Sequence, residues 1–311
     1  MAAPTPSAHS HRLSGILLGV AGAIGFSGKA IIAKLAYRYG VDAVLVIYYR
    51  MLFALPLFLV MCWWTGRGKP APTRDDWKLI LGLGFTGYYL ASILDFEGLQ
   101  YIGVNLERVI LYLNPTVVLV LSIWLHKTKV HRAQWLALLL SYCGVLVVFA
   151  HDVSLSGSNV ALGSLLVLGS AISYALYLVF SGPAVKRLGA LRTTGLATSV
   201  ACVLCIAQFF ILRPPSAMIV APEVIWLSVL NATLCTFLPV QLVMLAVERV
   251  GAPVAAQTGT VGPMATIFFG VVILGEPFTV WVALGTGLVM VGIWLLSRSG
   301  RIVARVPPAS P

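Results

Sequence analysis

Acid is what this chain has least of. Asp and Glu number 10 in 311 residues against 21 Lys and Arg, and charged residues make up 10% of the whole, where soluble domains carry about a quarter. So few charges cannot cover a water-exposed surface. The motifs of common catalysts are also missing. No H-E-x-x-H, G-x-S-x-G or phosphate-binding glycine loop occurs, which leaves no zinc-protease helix, no serine-hydrolase elbow and no nucleotide-binding loop. His126 and His131 fall in a connecting loop and His151 stands beside Asp152, as solvated loop residues do. Cysteine is scarce, and Cys62, Cys143, Cys202, Cys205 and Cys235 all lie in apolar stretches. The Cys202–Cys205 C-x-x-C has no histidine or second pair nearby, so it reads as small buried residues rather than a metal or redox site. No catalytic residue, metal or cofactor is expected, and no polar ring or filter segment points to a pore.

What the chain has in quantity is hydrocarbon. Hydrophobic residues are 59% of it, and crossing a bilayer takes about 20 mostly apolar residues. Stretches of that kind span 13–35, 43–64, 77–96, 104–125, 133–150, 160–182, 192–212, 223–246, 253–275 and 279–297. None alternates polar with apolar as barrel strands do. The expectation is an all-α membrane protein with ten transmembrane helices and no soluble domain. Residues 1–12 and the basic, proline-bearing 298–311 read as disordered tails. The first apolar stretch is too long for a signal-peptide core and is expected to be retained.

Shifted by 148 residues, the sequence falls back onto itself without a gap. Gly15-Ile16-Leu17-Leu18 meets Gly163-Ser164-Leu165-Leu166, Pro115 meets Pro263 and Gly144 meets Gly292. Such a constant offset marks a duplicated unit, here 13–150 and 160–297. Charge sets the orientation. With both termini cytoplasmic, the inner segments hold Arg12; Arg67, Lys69, Arg74 and Lys78; Lys127, Lys129 and Arg132; Lys186, Arg187 and Arg192; Arg249; and Arg298, Arg301 and Arg305, which is 15 of the 21 basic residues. The outer segments hold Lys34, Arg38 and Arg213. That bias is the positive-inside pattern. It accounts for the net charge of +11 through topology and contact with membrane lipid, with no nucleic-acid partner. Five helices per repeat is an odd number, so the second repeat must enter the membrane inverted. Inverted repeats place a binding site near the midplane, between the halves.

These features resemble the drug/metabolite transporter superfamily, and within it the EamA-type carriers, over residues 13–297. Pro115 and Pro263 stand in the fourth helix of each repeat, Arg50 in helix 2 matches an arginine usual there, and Gly275-Glu276-Pro277 is similar to the family's Gly-Glu turn. The last helix carries Gly285, Gly287 and Gly292, while the first repeat departs at its turn with Lys127-Thr128-Lys129. The resemblance implies a secondary carrier, most like the aromatic amino acid exporters of a bacterial inner membrane. Exporters of lipophilic cations or other small metabolites are the alternative. A membrane-embedded enzyme or lipid scramblase is the alternative of a different class.

Ionisable residues inside a span cost about 2.5–3.5 kcal/mol on insertion scales and need partners or water. Lys29, Arg50, Asp95, Glu97, Glu107 and Arg108 fall in the outer half, and their counterparts 148 residues on are all uncharged. They read either as a structural ion-pair network, such as Asp95 with Lys29 or Arg108, or as a vestibule for the two charged ends of a zwitterion. Deeper polar and aromatic residues are the candidates for substrate contact: Tyr88, Tyr89, Tyr112, Asn114, Tyr174, Tyr177, Gln241, Gln257 and Thr258. Pro115, Pro239 and Pro263 each remove a backbone donor and are expected at kinks or flex points. The expected function is export of hydrophobic, aromatic and other small zwitterionic amino acids by alternating access, with a small-molecule substrate and a monomer as the working unit.

Overall fold

A computed structural model describes residues 6–126, 132–156, 159–250, 258–259 and 261–303. Among them every regular element is helical. The helices are α1 (Pro6–Tyr37), α2 (Ala43–Gly66), α3 (Arg74–Leu99), α4 in two pieces (Val104–Leu111 and Asn114–His126), α5 (Arg132–Ser156), α6 (Asn159–Leu188) and α7 (Ala190–Leu212). Then come α8 (Pro222–Ala232 continuing through Leu238–Val250), α9 (Val261–Phe269 continuing through Gly270–Leu274) and α10 (Val280–Val303). Eight of these are long and apolar enough to cross a membrane, and Met264–Leu274 and Val280–Leu295 are shorter apolar helices. Connections are tight: Gly189, at φ 88°, is the single residue between α6 and α7. Local signals set the starts. Asp42 accepts from the Leu45 N–H at 2.9 Å, and Thr73 with Asp76 forms a capping box.

The ends differ from the expected tails. Helix α1 already begins at Pro6, and α10 runs on to Val303. Proline is well placed in a first helical turn, where its missing N–H costs nothing. Residues 1–5 and 304–311 lie outside the described residues.

The packing shows the inversion directly. Helix α5 lies on α10 and α2 on α7, so equivalent helices of the two repeats meet. The pair α1–α8 is mirrored by α6–α3, and α1–α9 by α6–α4. Gly144 approaches Gly285, while Gly292 approaches Ala137 and Ser141. As α5 ascends, α10 therefore descends. In the α2–α7 pair Gly195 faces Cys62, while Tyr48, a long way back along α2, stacks on Phe209 at 4.1 Å. Two equivalent helices running antiparallel side by side can only come from inverted copies.

One irregularity is duplicated as well. Helix α3 widens into a π turn over Phe85–Leu90, and α8 does the same over Thr233–Phe237, the same place in each repeat. Around this frame the large apolar side chains divide by face. Phe58, Phe96 and Phe209 are fully buried, whereas Trp63, Trp64, Trp124, Trp226 and Ile211 stand well exposed. A water-soluble monomer does not expose apolar surface on that scale. This is a multi-pass membrane protein whose outer belt faces lipid.

Candidate functional site

Five of the six in-span charges converge. They sit about 5–12 Å inside the end of the bundle opposite the chain termini, counting 1.5 Å per residue. Lys29 on α1 pairs with Asp95 on α3, Nζ to Oδ2 2.5 Å. Arg50 on α2 donates from Nε to the Thr236 hydroxyl at 3.0 Å, and that hydroxyl donates to the Asn231 carbonyl at 2.8 Å. Asn231 returns to α1, donating to the Lys29 carbonyl at 3.2 Å. The Phe96 ring lies between the cations, with Lys29 Nζ 5.5 Å and Arg50 Cζ 5.1 Å from its centroid, close enough for cation–π attraction. Tyr37 fixes the same turn of α3 by donating to the Phe96 carbonyl at 2.8 Å.

Glu107 has the most constrained position. It is 0% exposed, and its carboxylate is 3.2 Å from the Nε of its chain neighbour Arg108. That contact is not aligned as a hydrogen bond, and both Glu107 oxygens are without one. Arg108, Asp95 and Lys29 are the charged groups that act most on Glu107. Several of the charged groups here keep buried polar atoms without a partner: Arg50 Nη1, Asp95 Oδ1, and Arg108 Nε and Nη2. Buried polar groups are normally satisfied. A cluster of orphans of both signs is a place prepared for water or a polar solute.

Glu97 does not join the cluster. It accepts from Gln100 at 2.6 Å on the exposed side of the helix. Two residues turn a helix by about 200°, so Asp95 and Glu97 cannot both face inward. Glu276, which the sequence marks only as part of a turn motif, acts here instead. The α4 helix begins after Gly103, which offers no side chain of its own to the helix end. Glu276 reaches across from the α9–α10 turn and accepts from Val104 N at 2.7 Å and Asn105 N at 3.1 Å. The motif glycine makes this possible: Gly275 adopts φ 73°, a left-handed turn that aims Glu276 back at α4. Thr236, Asn231 and Phe96 also went unnoticed, because a lone Thr, Asn or Phe in an apolar span carries no signal.

The substrate-contact candidates do not form one group. Tyr88, Tyr174 and Tyr177 do come together, Tyr88 edge-on to Tyr177 at 5.2 Å and Tyr174 stacked on Tyr177 at 5.5 Å, packed against Leu79, Leu83 and Ala197. Tyr89, one residue round the helix, turns away to Phe85 at 5.4 Å. Tyr112 packs on the apolar cluster of Leu106, Val109 and Ile110. The Gln241 amide donates to the Met61 thioether on α2, and Thr258 is buried against Gly19 of α1. Asn114 begins the second piece of α4, half-buried with an unmatched oxygen. Gln257 lies outside the described residues.

The prolines divide in the same way. Pro115 stands at the start of the second piece of α4, just past the break at residues 112–113, so it marks a helix end rather than an interior kink. Pro239 follows the π turn of α8 and packs on Gly22 and Gly25 of α1. Pro263 falls within α9. A separate cavity of about 380 Å³ opens at the same end of the bundle, nearer its surface, lined by Tyr39, Asp42, Leu45 and Arg213, with Asp42 and Arg213 paired. Its ligand-facing chemistry is thinner than that of the buried cluster.

Known proteins agree with this architecture. The chain is 29% identical over 286 residues to the uncharacterized transporter YcbK of Bacillus subtilis (strain 168), covering 88% of this chain and 89% of that one. The uncharacterized transporter YetK of the same organism is 28% identical over 250 residues, covering 79% and 76%. A solved crystal structure superposes with a TM-score of 0.64 at 16% identity over 93% of this chain and 98% of the other, which shows a shared fold. The model of the EamA-like transporter family matches twice, over residues 13–150 and 161–298, once for each inverted half, and the chain belongs to that family of membrane transporters.

Proposed function

We propose that this transporter is a secondary carrier that exports small amphipathic zwitterions, foremost amino acids with apolar or aromatic side chains. It would do so across a bacterial inner membrane with both termini cytoplasmic. One observation carries the reading. A buried cluster of both charge signs with unmatched donors and acceptors stands on α3 about two helical turns, roughly 10 Å, from the tyrosine group at Tyr88. A molecule with a carboxylate, an ammonium and an apolar body matches that pairing. Arg50 and Arg108 offer free donors to the carboxylate, Glu107 faces the ammonium, and Tyr88, Tyr174 and Tyr177 offer ring faces to the apolar body. Such a site has few polar anchors on a largely apolar wall, the usual build of small-molecule pockets.

The positive-inside pattern of the loops supports the orientation. The test is counterflow. Purified protein in liposomes loaded with an unlabelled amino acid should accumulate the labelled one against its gradient, with Phe, Tyr, Trp, Leu and Met ahead of Asp and Lys. Absence of counterflow for every amino acid tried, with a lipophilic cation accepted instead, would overturn the cargo.

A further inference from the structure

The two ends of the bundle are built from equivalent segments of the two repeats, yet they are tied differently. At the end that bears the termini, the chain's own arginines join the α6–α7 junction to the α2–α3 connection. Arg187 donates to Asp76 at 3.1 Å and to the Thr73 hydroxyl at 3.4 Å, and Arg192 donates to the Pro70 carbonyl at 3.0 Å. Shifted by the repeat offset, these positions fall at the opposite end. Arg187 meets Tyr39, Arg192 meets Val44, Thr73 meets Ala221 and Asp76 meets Val224. Neither arginine and neither side-chain acceptor survives there. The cavity of about 380 Å³, bordered by Tyr39 and Ala221, stands in their place.

The walls of this cavity are held in place from α2. Tyr48 stacks on Phe209 at 4.1 Å, and Tyr49 donates to the Met218 carbonyl at 2.6 Å, which fixes the α7–α8 connection. The lining has two natures. Phe209 is fully buried, while Ile219 is 87% exposed, an apolar rim that a ligand would cover. Asp42 and Arg213 add one charge of each sign, with side chains 31% and 46% exposed. A pair so open to water contributes little by itself, so a ligand with both charges can compete with it. Arg213 meets Asp42 through Nη2, and a guanidinium has further N–H donors to offer. The volume lies at the lower end of small-molecule pockets, enough for one small molecule.

The geometry points to a second zwitterion site in this outer cavity, where an amino acid already exported binds from outside and slows the carrier. The inference rests on the carrier reading above and on its orientation. Arg213 takes the carboxylate, Asp42 takes the ammonium, and the apolar side chain lies against Leu45, Phe209 and Ile219. The bound molecule joins the α1–α2 turn of the first repeat to the α7–α8 connection of the second. That is the task Arg187 and Arg192 perform at the other end. A ligand favours whichever conformation it binds better, and one lodged between the two repeats resists their movement past each other. Product outside thus restrains further export without entering the buried charge cluster.

Two measurements test this on the full chain. Equilibrium binding of labelled leucine to the purified protein should approach two molecules per chain. Arg213→Gln should weaken one of them about tenfold or more, the loss of one charge-assisted hydrogen bond. Ala217→Trp, which fills the cavity and changes no charge, should remove the same one. Binding that both variants leave unchanged overturns the outer site. In liposomes with this face outward, efflux of labelled leucine should fall when unlabelled leucine is added outside, and the ratio of the two rates should return toward one in both variants. Efflux that outer leucine does not slow, or slowing that both variants keep in full, overturns the restraint on export. Absence of any efflux or counterflow, with Arg213-dependent binding intact, is the separate result that removes the carrier reading and leaves the site standing.

Discussion

Glu276 supplies a helix end that the α4 sequence cannot cap by itself, and removing it has a calculable consequence. Its carboxylate accepts two backbone N–H groups, from Val104 at 2.7 Å and Asn105 at 3.1 Å, next to Gly103, which has no side chain to replace it. Hydrogen bonds to a charged group contribute about 1.5–3 kcal/mol each when water cannot substitute. Glu276 is only half-buried, so water recovers part of that. The net loss on Glu276→Ala is about 1–3 kcal/mol of local stability, roughly a 5- to 150-fold rise in local opening at 1.4 kcal/mol per tenfold. Glu276→Gln keeps one carbonyl acceptor and loses the charge, so it should fall between. The assay is hydrogen–deuterium exchange of the purified protein, read on peptides covering Gly103–Leu111, because exchange reports local opening without global unfolding. Faster exchange there, with the α7 core unchanged, is the expected pattern. Equal protection of Val104 and Asn105 in the unaltered and Ala proteins would refute the capping argument. The same opening should slow transport, since α4 carries Glu107 and Arg108.

Three further outcomes follow from contacts elsewhere. Breaking the buried Lys29–Asp95 pair by Lys29→Met or Asp95→Asn should cost about 3–5 kcal/mol in thermal unfolding, and combining the two should recover much of it; additive losses would show that the 2.5 Å pair is not energetically coupled. Gly87→Ala should destabilise by about 1–3 kcal/mol through overpacking, since its new carbon would lie 2.5 Å from the Tyr177 ring. Gly82→Ala, with nothing near it, should instead stabilise α3 by up to about 1 kcal/mol, and a reversal of that order would be decisive against the packing. Cysteines placed at Lys69 and Lys186 should react with an impermeant maleimide from the cytoplasmic side alone, and at Tyr39 and Ser216 from the opposite side alone; any pair split between faces breaks the orientation read from the loop charges.

Much of the fold was legible because its causes are local or periodic. The length of each apolar run gives the spans, and the 148-residue offset with an odd helix count gives the inversion that Gly144–Gly285 and Tyr48–Phe209 display. The Lys29–Asp95 pairing was one of the alternatives the sequence allowed. What stayed hidden depends on rotation about helix axes. Asp95 and Glu97 look equivalent in sequence, as do Tyr88 and Tyr89, yet Asp95 faces the charge cluster while Glu97 pairs with Gln100, and Tyr88 meets Tyr177 while Tyr89 packs on the core around Phe58 and Cys205. Hydrophobic periodicity would normally settle such rotations, but spans that are apolar all round carry little of it. The role of Glu276 depends on a contact between residues 172 apart in sequence, which no local pattern records.

The duplicated π turns carry the argument a step further, because the two copies are held differently. At the α3 turn, Ser173 donates to the Thr86 carbonyl and Ser170 to the Ala91 carbonyl, each at 2.7 Å. The equivalent positions beside the α8 turn are Gly25 and Gly22, whose missing side chains let α1 come close to the Leu234 and Pro239 carbonyls but give them no donor. Neutral hydrogen bonds contribute about 0.5–1.5 kcal/mol each, so α6 holds the α3 turn by about 1–3 kcal/mol that α1 does not give the α8 turn, whose side-chain tie is the Arg50–Thr236 bond from α2. In a carrier whose halves exchange conformations, the softer turn is the one that should yield first. Peptides over 233–243 should therefore exchange deuterium faster than those over 85–95 in the unaltered protein, and Ser170→Ala with Ser173→Ala should bring the second rate toward the first. Equal rates before substitution, or a gap that survives it, would mean that the serines hold nothing and that the hinge asymmetry lies elsewhere.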